Sequence, residues 1–373
     1  RVGYNVDSFG HNGMLPQILK KAGLDYYVFL RPSPHEKGLP GRLFWWESDD
    51  GSRVLAYRIP FEYNSTGKDL EKHVRRVASE LRGHTGELMC FYGVGNHGGG
   101  PTKENIESIG RLQEDPDLPE LVFSTPNRFF EGALQSGWRL PVVHEELQHH
   151  ASGCYAAHSG IKRWNRRAEN LLTAAERLSA LALQLTGRPL HEDLGHAWKG
   201  VLFNQFHDIL AGTSLEEAYE DARDLYGEAV SIGSRALNDA MQALAWKIGI
   251  PLEEGVRPLV VFNSHAWPVA APVELEVARI REGEILIDEE GEPVPFQLAQ
   301  SSATAQGRQR LVFEAELPAL GYRTFRIAAR GETHSGNGER KGALLHASDT
   351  VLENELLRLE IDPETGWVTS LFD

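Results

Sequence analysis

Three short segments of this sequence place polar side chains beside glycines or directly after apolar runs, where a hydrophobic core has little use for them. The first is residues 5–12, NVDSFGHN. It follows a predicted strand that ends near Val6, so Asp7 stands at the carboxyl end of that strand, where α/β folds gather their active sites. The alternative, an aspartate that caps the helix predicted from Leu15, requires a position closer to that helix. Asp7 is therefore a candidate functional carboxylate.

The second segment, residues 93–102, reads GVGNHGGGPT and separates a predicted strand from a predicted helix. Consecutive glycines let a ligand approach the backbone, although an ordinary turn also uses them. It is not a phosphate-binding loop, because the Lys-Ser/Thr pair of that motif is missing. The third segment, residues 204–214, reads NQFHDILAGTS and places His207 and Asp208 between two predicted helices. A neutral imidazole there can bind a metal ion. A lone histidine at a helix end usually has no such role, but the coincidence of three segments favours one.

The elements that must position these segments begin with alternating strands and helices. Within residues 1–130, continuous apolar runs predict strands at 26–30, 54–59 and 88–94, and a helix is predicted at 68–81. Strands that alternate with helices in this way indicate an α/β layer with right-handed crossovers.

The rest of the chain carries two other patterns. Apolar residues recur with helical spacing through 160–248, which is typical of three packed helices. From Pro258 the period changes to two, which predicts strands, and residues 331–342 form a polar, glycine-rich loop. We therefore predict a multidomain α/β + α + β chain with an α/β catalytic domain at 1–155, a three-helix bundle at 156–250 and a β-sandwich region at 256–373.

Composition and charge exclude several classes of protein. The chain has 373 residues, 41% of them apolar and 24% charged, which is a globular balance with room for two or three domains. Its net charge of −15 repels phosphate, so we expect no nucleic-acid partner; the basic cluster at 162–167 fits a solvated helix face. No apolar run reaches the roughly 20 residues that span a bilayer, so we expect no membrane partner.

The cysteines and the two ends of the sequence add expectations about the protein's setting. Cys90 and Cys154 form no disulfide framework, which predicts a reducing, cytoplasmic compartment. The first residues show no signal peptide. Both ends read as cut, so we expect an internal fragment of a longer protein.

Taken together, the three segments resemble glycoside hydrolase family 38, the zinc-dependent α-mannosidases, over essentially the whole chain. The motifs specific to that family are DSFGHN at 7–12 with LPQIL at 15–19, and NQFHDIL at 204–210 with GTS at 212–214. Further similarity to the bacterial branch lies in LFWWE at 43–47, GSRVL at 51–55, GCY at 153–155 and Asn165-Arg166. The resemblance implies a partial α/β barrel, a three-helix bundle and the start of β-sandwich domains, without the first barrel strand and the later β domains.

The resemblance also implies a role for each of five residues. Asp7 matches the catalytic nucleophile, whose carboxylate also binds Zn²⁺, and His207 matches a zinc-ligand histidine. Asp208 matches a carboxylate that hydrogen-bonds sugar hydroxyls. Arg31 matches the arginine beside the nucleophile, and Tyr63 a substrate-contacting tyrosine. The implied activity is that of a retaining α-mannosidase, which cleaves terminal α-mannosides of glycans through a covalent glycosyl-enzyme intermediate with zinc in the −1 subsite.

Two features depart from the family pattern. The family's zinc site has four protein ligands, and two come from a His-x-Asp pair on the first barrel strand. The only such triplet here, residues 191–193, lies in the helical region, so the expected pair would precede residue 1. The acid/base residue cannot be aligned, and His97 and Glu146 remain open as candidates. We therefore expect this fragment alone to be inactive.

Two other hypotheses compete with the mannosidase. The segment around Asp7 also suits a metal-dependent carbohydrate deacetylase, although the helical segment with His207 argues against that class. A non-catalytic carbohydrate-binding fragment is the third hypothesis, with Trp45 and Trp46 as surfaces for sugar stacking or, alternatively, as core residues. The expected partner is a mannose-containing oligosaccharide, and a homo-oligomer is possible in the full-length protein. The sequence does not define linkage specificity, the natural glycan or the oligomeric state.

Overall fold

The computed structural model describes residues 1–65, 67–81, 86–95, 99–151, 153–189, 192–251, 253–302, 307–329 and 345–373. Contacts divide the chain into two compact units. The first comprises Arg1–Glu169 and Gly195–Val230, and the second comprises Asn170–Leu194 and Ser231–Asp373. The three-domain division given above stays a prediction, and the glycine-rich loop predicted at 331–342 lies outside the described residues. Within the described ranges, no helix combines the length and the apolar character that a bilayer crossing requires.

The first unit is built on one five-stranded sheet. Its strands, in chain order, are β1 (Val2–Asn5), β2 (Tyr26–Phe29), β3 (Leu43–Glu47), β4 (Arg53–Arg58) and β5 (Val142–Val143). The spatial order is β1-β2-β4-β3-β5; β1, β2 and β4 run parallel, and β3 is antiparallel to β4. Both faces of β2 are covered, since Tyr26 and Val28 join one apolar cluster and Tyr27 and Phe29 join another. This two-sided burial produces the continuous apolar run from which the strand is predicted.

The described helices confirm most of the helical spacing found in the sequence. The described helices are α1 (Leu15–Lys21), α2 (Glu71–Ala78), α3 (Lys103–Leu112), α4 (Pro126–Gln135), α5 (Ser159–Thr186), α6 (Leu194–Asn204), α7 (His207–Leu210) and α8 (Glu216–Ala245). The helix predicted at 68–81 appears as α2 and a following 3-10 turn, Ser79–Leu81.

The strand predicted at 88–94 is wrong. Two of its amides bond to side chains instead of a neighbouring strand: Met89 N donates to the Tyr57 hydroxyl at 3.0 Å, and Gly93 N donates to Ser65 Oγ at 3.0 Å. The segment is nevertheless covered on two sides, since Met89 packs against one apolar cluster and Tyr92 packs against another. Burial on both sides explains why its apolar run looks like a strand.

The second unit is largely β-structure. Its strands are β6 (Arg257–Phe262), β7 (Val269–Ala278), β8 (Glu284–Ile287), β9 (Pro293–Val294), β10 (Phe296–Ala299), β11 (Arg308–Leu317), β12 (Tyr322–Ala329), β13 (His346–Ala347), β14 (Val351–Glu353), β15 (Arg358–Ile361) and β16 (Val368–Phe372). They form sheets in the orders β10-β11-β7, β6-β12-β8-β9 and β13-β14-β15-β16. Phe313 of β11 and Phe325 of β12 share one apolar cluster, which joins side chains of the first two sheets. The mixed α/β class with several sheets is thus observed; the barrel and the three-helix bundle stay predictions.

Candidate active site

The first unit brings together five of the side chains singled out from the sequence. Asp7 lies two residues after β1, and Arg31 lies two residues after β2. Because β1 and β2 are adjacent and parallel, their carboxyl ends meet at one edge of the sheet. Tyr63 follows β4 at the same edge, whereas His207 and Asp208 begin α7. The edge that the strand pattern predicted therefore carries a group of polar side chains.

The Asp7 carboxylate is the centre of this group. Arg31 Nη1 donates to Asp7 Oδ1 at 2.6 Å and to the Asp7 carbonyl at 3.0 Å, which fixes both the side chain and the backbone. The Tyr63 hydroxyl donates to the other oxygen, Oδ2, at 3.4 Å, and His207 Nε2 lies 3.3 Å from it. Asp7 keeps 33% of its side chain exposed, so one face of the carboxylate is open to a ligand.

This geometry has two electrostatic consequences. Burial, and then the charge of Asp7, raise the pKa of Tyr63, so the phenol stays protonated at neutral pH and can donate its hydrogen bond. The Arg31 guanidinium compensates the negative charge of Asp7 at hydrogen-bond distance, and the pair is only partly exposed. Asp7 is thus paired with a positive charge, and its Oδ1 is held by a shorter hydrogen bond than its Oδ2.

His11 is a buried residue that holds the backbone of Arg31, and the sequence analysis gave it no role. It is 3% exposed; Nε2 lies 2.8 Å from the Arg31 carbonyl and Nδ1 lies 2.8 Å from the Tyr27 hydroxyl. Burial lowers the pKa of His11 to about 4, so the ring is neutral at pH 7. A carbonyl can only accept, so the proton is on Nε2 and Nδ1 accepts from Tyr27. This neutral ring ties the backbone of Arg31 to the core.

Gly10, in the first of the three segments, lies where a larger residue would clash. A Cβ on Gly10 would lie 2.7 Å from the Leu147 carbonyl oxygen and from Gln148 Cα. Next to it, His11 and Leu147 exchange two backbone hydrogen bonds, at 3.1 and 2.9 Å. Glycine at position 10 thus allows residues 147–148 to approach closely and hold the loop that follows Asp7.

A partly buried polar network holds the segment that carries His207. Gln205 Nε2 donates to Asn165 Oδ1 at 3.1 Å and to Glu169 Oε1 at 2.9 Å, and the Tyr226 hydroxyl donates to the same Asn165 oxygen at 3.0 Å. Tyr226 is 2% exposed. The network joins α5 and α8 to the connection between α6 and α7, two residues before His207. The sequence analysis missed it, because only the third dimension brings these polar residues together.

The two acid/base candidates, Glu146 and His97, stay predictions. Glu146 is exposed and lies beside the backbone at Gly13, and within the described part of the chain it makes no hydrogen bond or ion pair. His97 lies outside the described residues. Asp208 keeps 46% of its side chain exposed, and its Oδ2 lies 3.9 Å from His207 Nε2.

The donors at the centre can be tested against a zinc ion. Zn–O and Zn–N distances of about 2.0–2.2 Å at a tetrahedral angle place two donor atoms about 3.3–3.6 Å apart. Asp7 Oδ2 and His207 Nε2 are 3.3 Å apart, so they fit as two ligands of one ion. Among the described residues, however, no group of three or more His, Cys, Asp or Glu side chains could hold a metal.

Comparison with known proteins identifies the family. Residues 1–152 match the model of the N-terminal domain of glycosyl hydrolases family 38, and residues 149–244 match that of the alpha mannosidase middle domain. The two models together span the chain from its first residue to residue 244. The chain belongs to glycosyl hydrolase family 38.

Individual relatives agree with this assignment. Alpha-mannosidase 2C1 of Mus musculus is 31% identical over 266 residues, which cover 70% of this chain and 25% of the mouse protein. Alpha-mannosidase G of Dictyostelium discoideum is 30% identical over 227 residues, 60% of this chain and 21% of that protein. The structure of an alpha-mannosidase from Enterococcus faecalis V583 has the same fold, with a TM-score of 0.67 and 22% identity, over 100% of this chain and 47% of that one. The chain spans about a quarter of the length of the curated relatives it matches.

Proposed function

We propose that this chain carries catalytic residues of a retaining α-mannosidase that hydrolyses terminal α-mannosides of glycans, with Asp7 as the nucleophile. The supporting observation is the environment of the Asp7 carboxylate at the edge of the sheet. Arg31 donates a hydrogen bond to Oδ1, and Oδ2 lies within 3.4 Å of the Tyr63 hydroxyl and His207 Nε2. A retaining glycosidase needs such an oriented, ionised carboxylate beside the anomeric carbon. Relatives named alpha-mannosidases give the proposal its substrate class.

The proposed reaction has two steps. In the first, an Asp7 oxygen forms a bond to the anomeric carbon while the bond to the leaving oxygen breaks and that oxygen takes a proton from a general acid. In the second, water attacks the anomeric carbon and gives its proton to the residue that acted as the general acid, while the bond between that carbon and Asp7 breaks; mannose, the free carboxylate and the reprotonated acid result. The general acid, with His97 and Glu146 as candidates, would have to lie about 5–5.5 Å from the nucleophilic carboxyl in a retaining enzyme.

The remaining residues would bind and orient the sugar. Arg31 holds Asp7 at Oδ1. The protonated Tyr63 can donate a hydrogen bond to Oδ2, whose negative charge decreases as Asp7 forms its bond to the sugar. The half-exposed Asp208 carboxylate would accept hydrogen bonds from sugar hydroxyls. A zinc ion held in part by Asp7 and His207 would supply Lewis-acid binding of those hydroxyls. A cytoplasmic location is proposed with it, since both cysteines are free.

The test measures hydrolysis of an aryl α-mannoside by the full-length protein and by this chain, with added zinc and with a chelator. Asp7→Asn removes the nucleophile with little change in shape and should abolish turnover. Asp25→Asn is the matched control, because Asp25 is another ion-paired aspartate, bonded to Arg1 and Lys20. A fluorinated mannosyl fluoride should label the peptide that contains Asp7, as detected by mass spectrometry. Turnover by Asp7→Asn at the normal rate contradicts the proposal. So does release of acetate from an acetylated sugar, offered in a parallel assay, when the aryl α-mannoside is not cleaved.

A further inference from the structure

The chain makes a strained turn between β4 and Tyr63. Phe61 has a φ of 65°, in the left-handed region that a bulky side chain rarely adopts, and Glu62 N donates to the Pro60 carbonyl at 3.0 Å. A hydrogen bond between residues i and i+2 around a centre with positive φ is a classic γ-turn, the rarer and strained form. Such a conformation persists only where the surroundings hold it, and it is enriched at functional sites.

Two arginines hold the Phe61 side chain. The Arg76 guanidinium carbon lies 3.9 Å from the centre of the Phe61 ring, and that of Arg42 lies 5.7 Å from it. Both are within the range of a cation–π interaction. Arg42 is itself buried and fixed, since it donates to Glu80 at 3.0 and 2.8 Å and to the Ile59 carbonyl at 3.2 Å. We call Arg42, Phe61 and Arg76 the Phe61 clamp.

A second anchor follows directly after Tyr63. Ser65 N donates to the Gly93 carbonyl at 2.8 Å, and Gly93 N donates back to Ser65 Oγ at 3.0 Å. Asn64 lies so close to Gly95 that a Cβ there would be 2.1 Å from Asn64 Nδ2 and 2.5 Å from Asn64 Cβ. Gly95, in the second of the three segments, thus allows residue 64 to approach closely.

We propose that the Phe61 clamp is a positioning device that aims the Tyr63 hydroxyl at Asp7. Tyr63 stands between the γ-turn and the glycine anchor, so the direction of its side chain is set from both ends. The 3.4 Å contact with Asp7 Oδ2 is the outcome of that arrangement. Phe61 and Arg76 touch no reacting atom and act through Tyr63. The positioning itself follows from the geometry, whereas its effect on turnover rests on the proposed function.

The experiment labels the full chain with 3-fluorotyrosine and follows Tyr63 by fluorine NMR, with Tyr63→Phe assigning its resonance. Phe61→Gly removes the ring but tolerates positive φ, so the backbone turn is permitted while the clamp is lost. Arg76→Met keeps the side-chain stem and removes the cation. Leu320→Gly is the matched control, because Leu320 is another apolar residue with positive φ, in the second unit.

We expect the Tyr63 resonance to shift toward its position in urea and to narrow in Phe61→Gly, to move part of the way in Arg76→Met and to stay in place in Leu320→Gly. In the full-length enzyme, kcat should fall about 10- to 100-fold in Phe61→Gly with little change in KM, since a displacement of about 1 Å can cost that much. An unmoved Tyr63 resonance in both clamp variants, with the fold intact, overturns the inference. A moved resonance without any α-mannoside hydrolysis overturns the proposed function instead and leaves the clamp established.

Discussion

Acid should weaken the first unit through one buried histidine, His11. The ring is enclosed between Tyr27 and the Arg31 carbonyl, and burial lowers its pKa to about 4, against about 6.5 in an unfolded chain. Between these two values the unfolded state binds more protons than the folded state. Stability is therefore full above about pH 6.5 and falls as the pH decreases through this window.

The size of the effect follows from the shift. A difference of about 2.5 pKa units corresponds to about 3 kcal/mol, and the part lost between pH 7 and pH 5 is about 2 kcal/mol. The variant His11→Gln keeps one donor and one acceptor but cannot titrate. It should be less stable than the wild type at pH 7, and the gap should narrow by about 2 kcal/mol at pH 5. His35→Gln, at an exposed histidine, should keep the wild-type pH dependence.

Two measurements check this reasoning. Urea unfolding at pH 7, 6 and 5 can be followed by tryptophan fluorescence, because Trp46 is buried in the same apolar cluster as Tyr27. The carbon-bound proton of the His11 ring, assigned with His11→Gln, gives the pKa directly by NMR. A His11 that titrates near 6.5, or a stability gap that is constant between pH 7 and 5, refutes the explanation.

Two further predictions concern close packing and a buried hydrogen bond. Gly95→Ala should destabilise the protein by about 1–3 kcal/mol in urea unfolding, since its Cβ would overlap Asn64, whereas Gly86→Ala, with open space around it, should be nearly neutral. Tyr226→Phe should cost about 1 kcal/mol by leaving the buried Asn165 oxygen with one bond fewer. A neutral Gly95→Ala, or a Tyr226→Phe as stable as the wild type, would show that these contacts are looser than described.

The sequence predicts the elements of this fold where burial leaves a local pattern. Residues 26–30 are predicted as a strand, and β2 occupies Tyr26–Phe29, because a strand covered on both faces has to be apolar throughout. The same reasoning fails at 88–94, where an irregular segment is also covered on two sides. There the backbone bonds to Tyr57 and Ser65, two partners that no local pattern reveals.

Some residues of the candidate site can likewise be predicted from the sequence, and others cannot. Asp7 and Arg31 follow neighbouring parallel strands, so their proximity can be expected from element order alone. His207 lies two hundred residues further along, and only the family resemblance linked it to Asp7. His11 and the network around Gln205 were missed because a buried polar residue looks like an exposed one until its partners are known.

The contact between Asp7 and His207 has a consequence for how this protein can be divided and inherited. The two residues lie in chain segments matched by different family models, 1–152 and 149–244, yet both belong to the same compact unit. A protein cut at residue 152 would contain Asp7 but lack His207. An exchange of residues 149–244 between relatives would have to preserve the hydrogen bonds of Gln205 to Asn165 and Glu169. For genetic recombination, the two segments therefore behave as a single module.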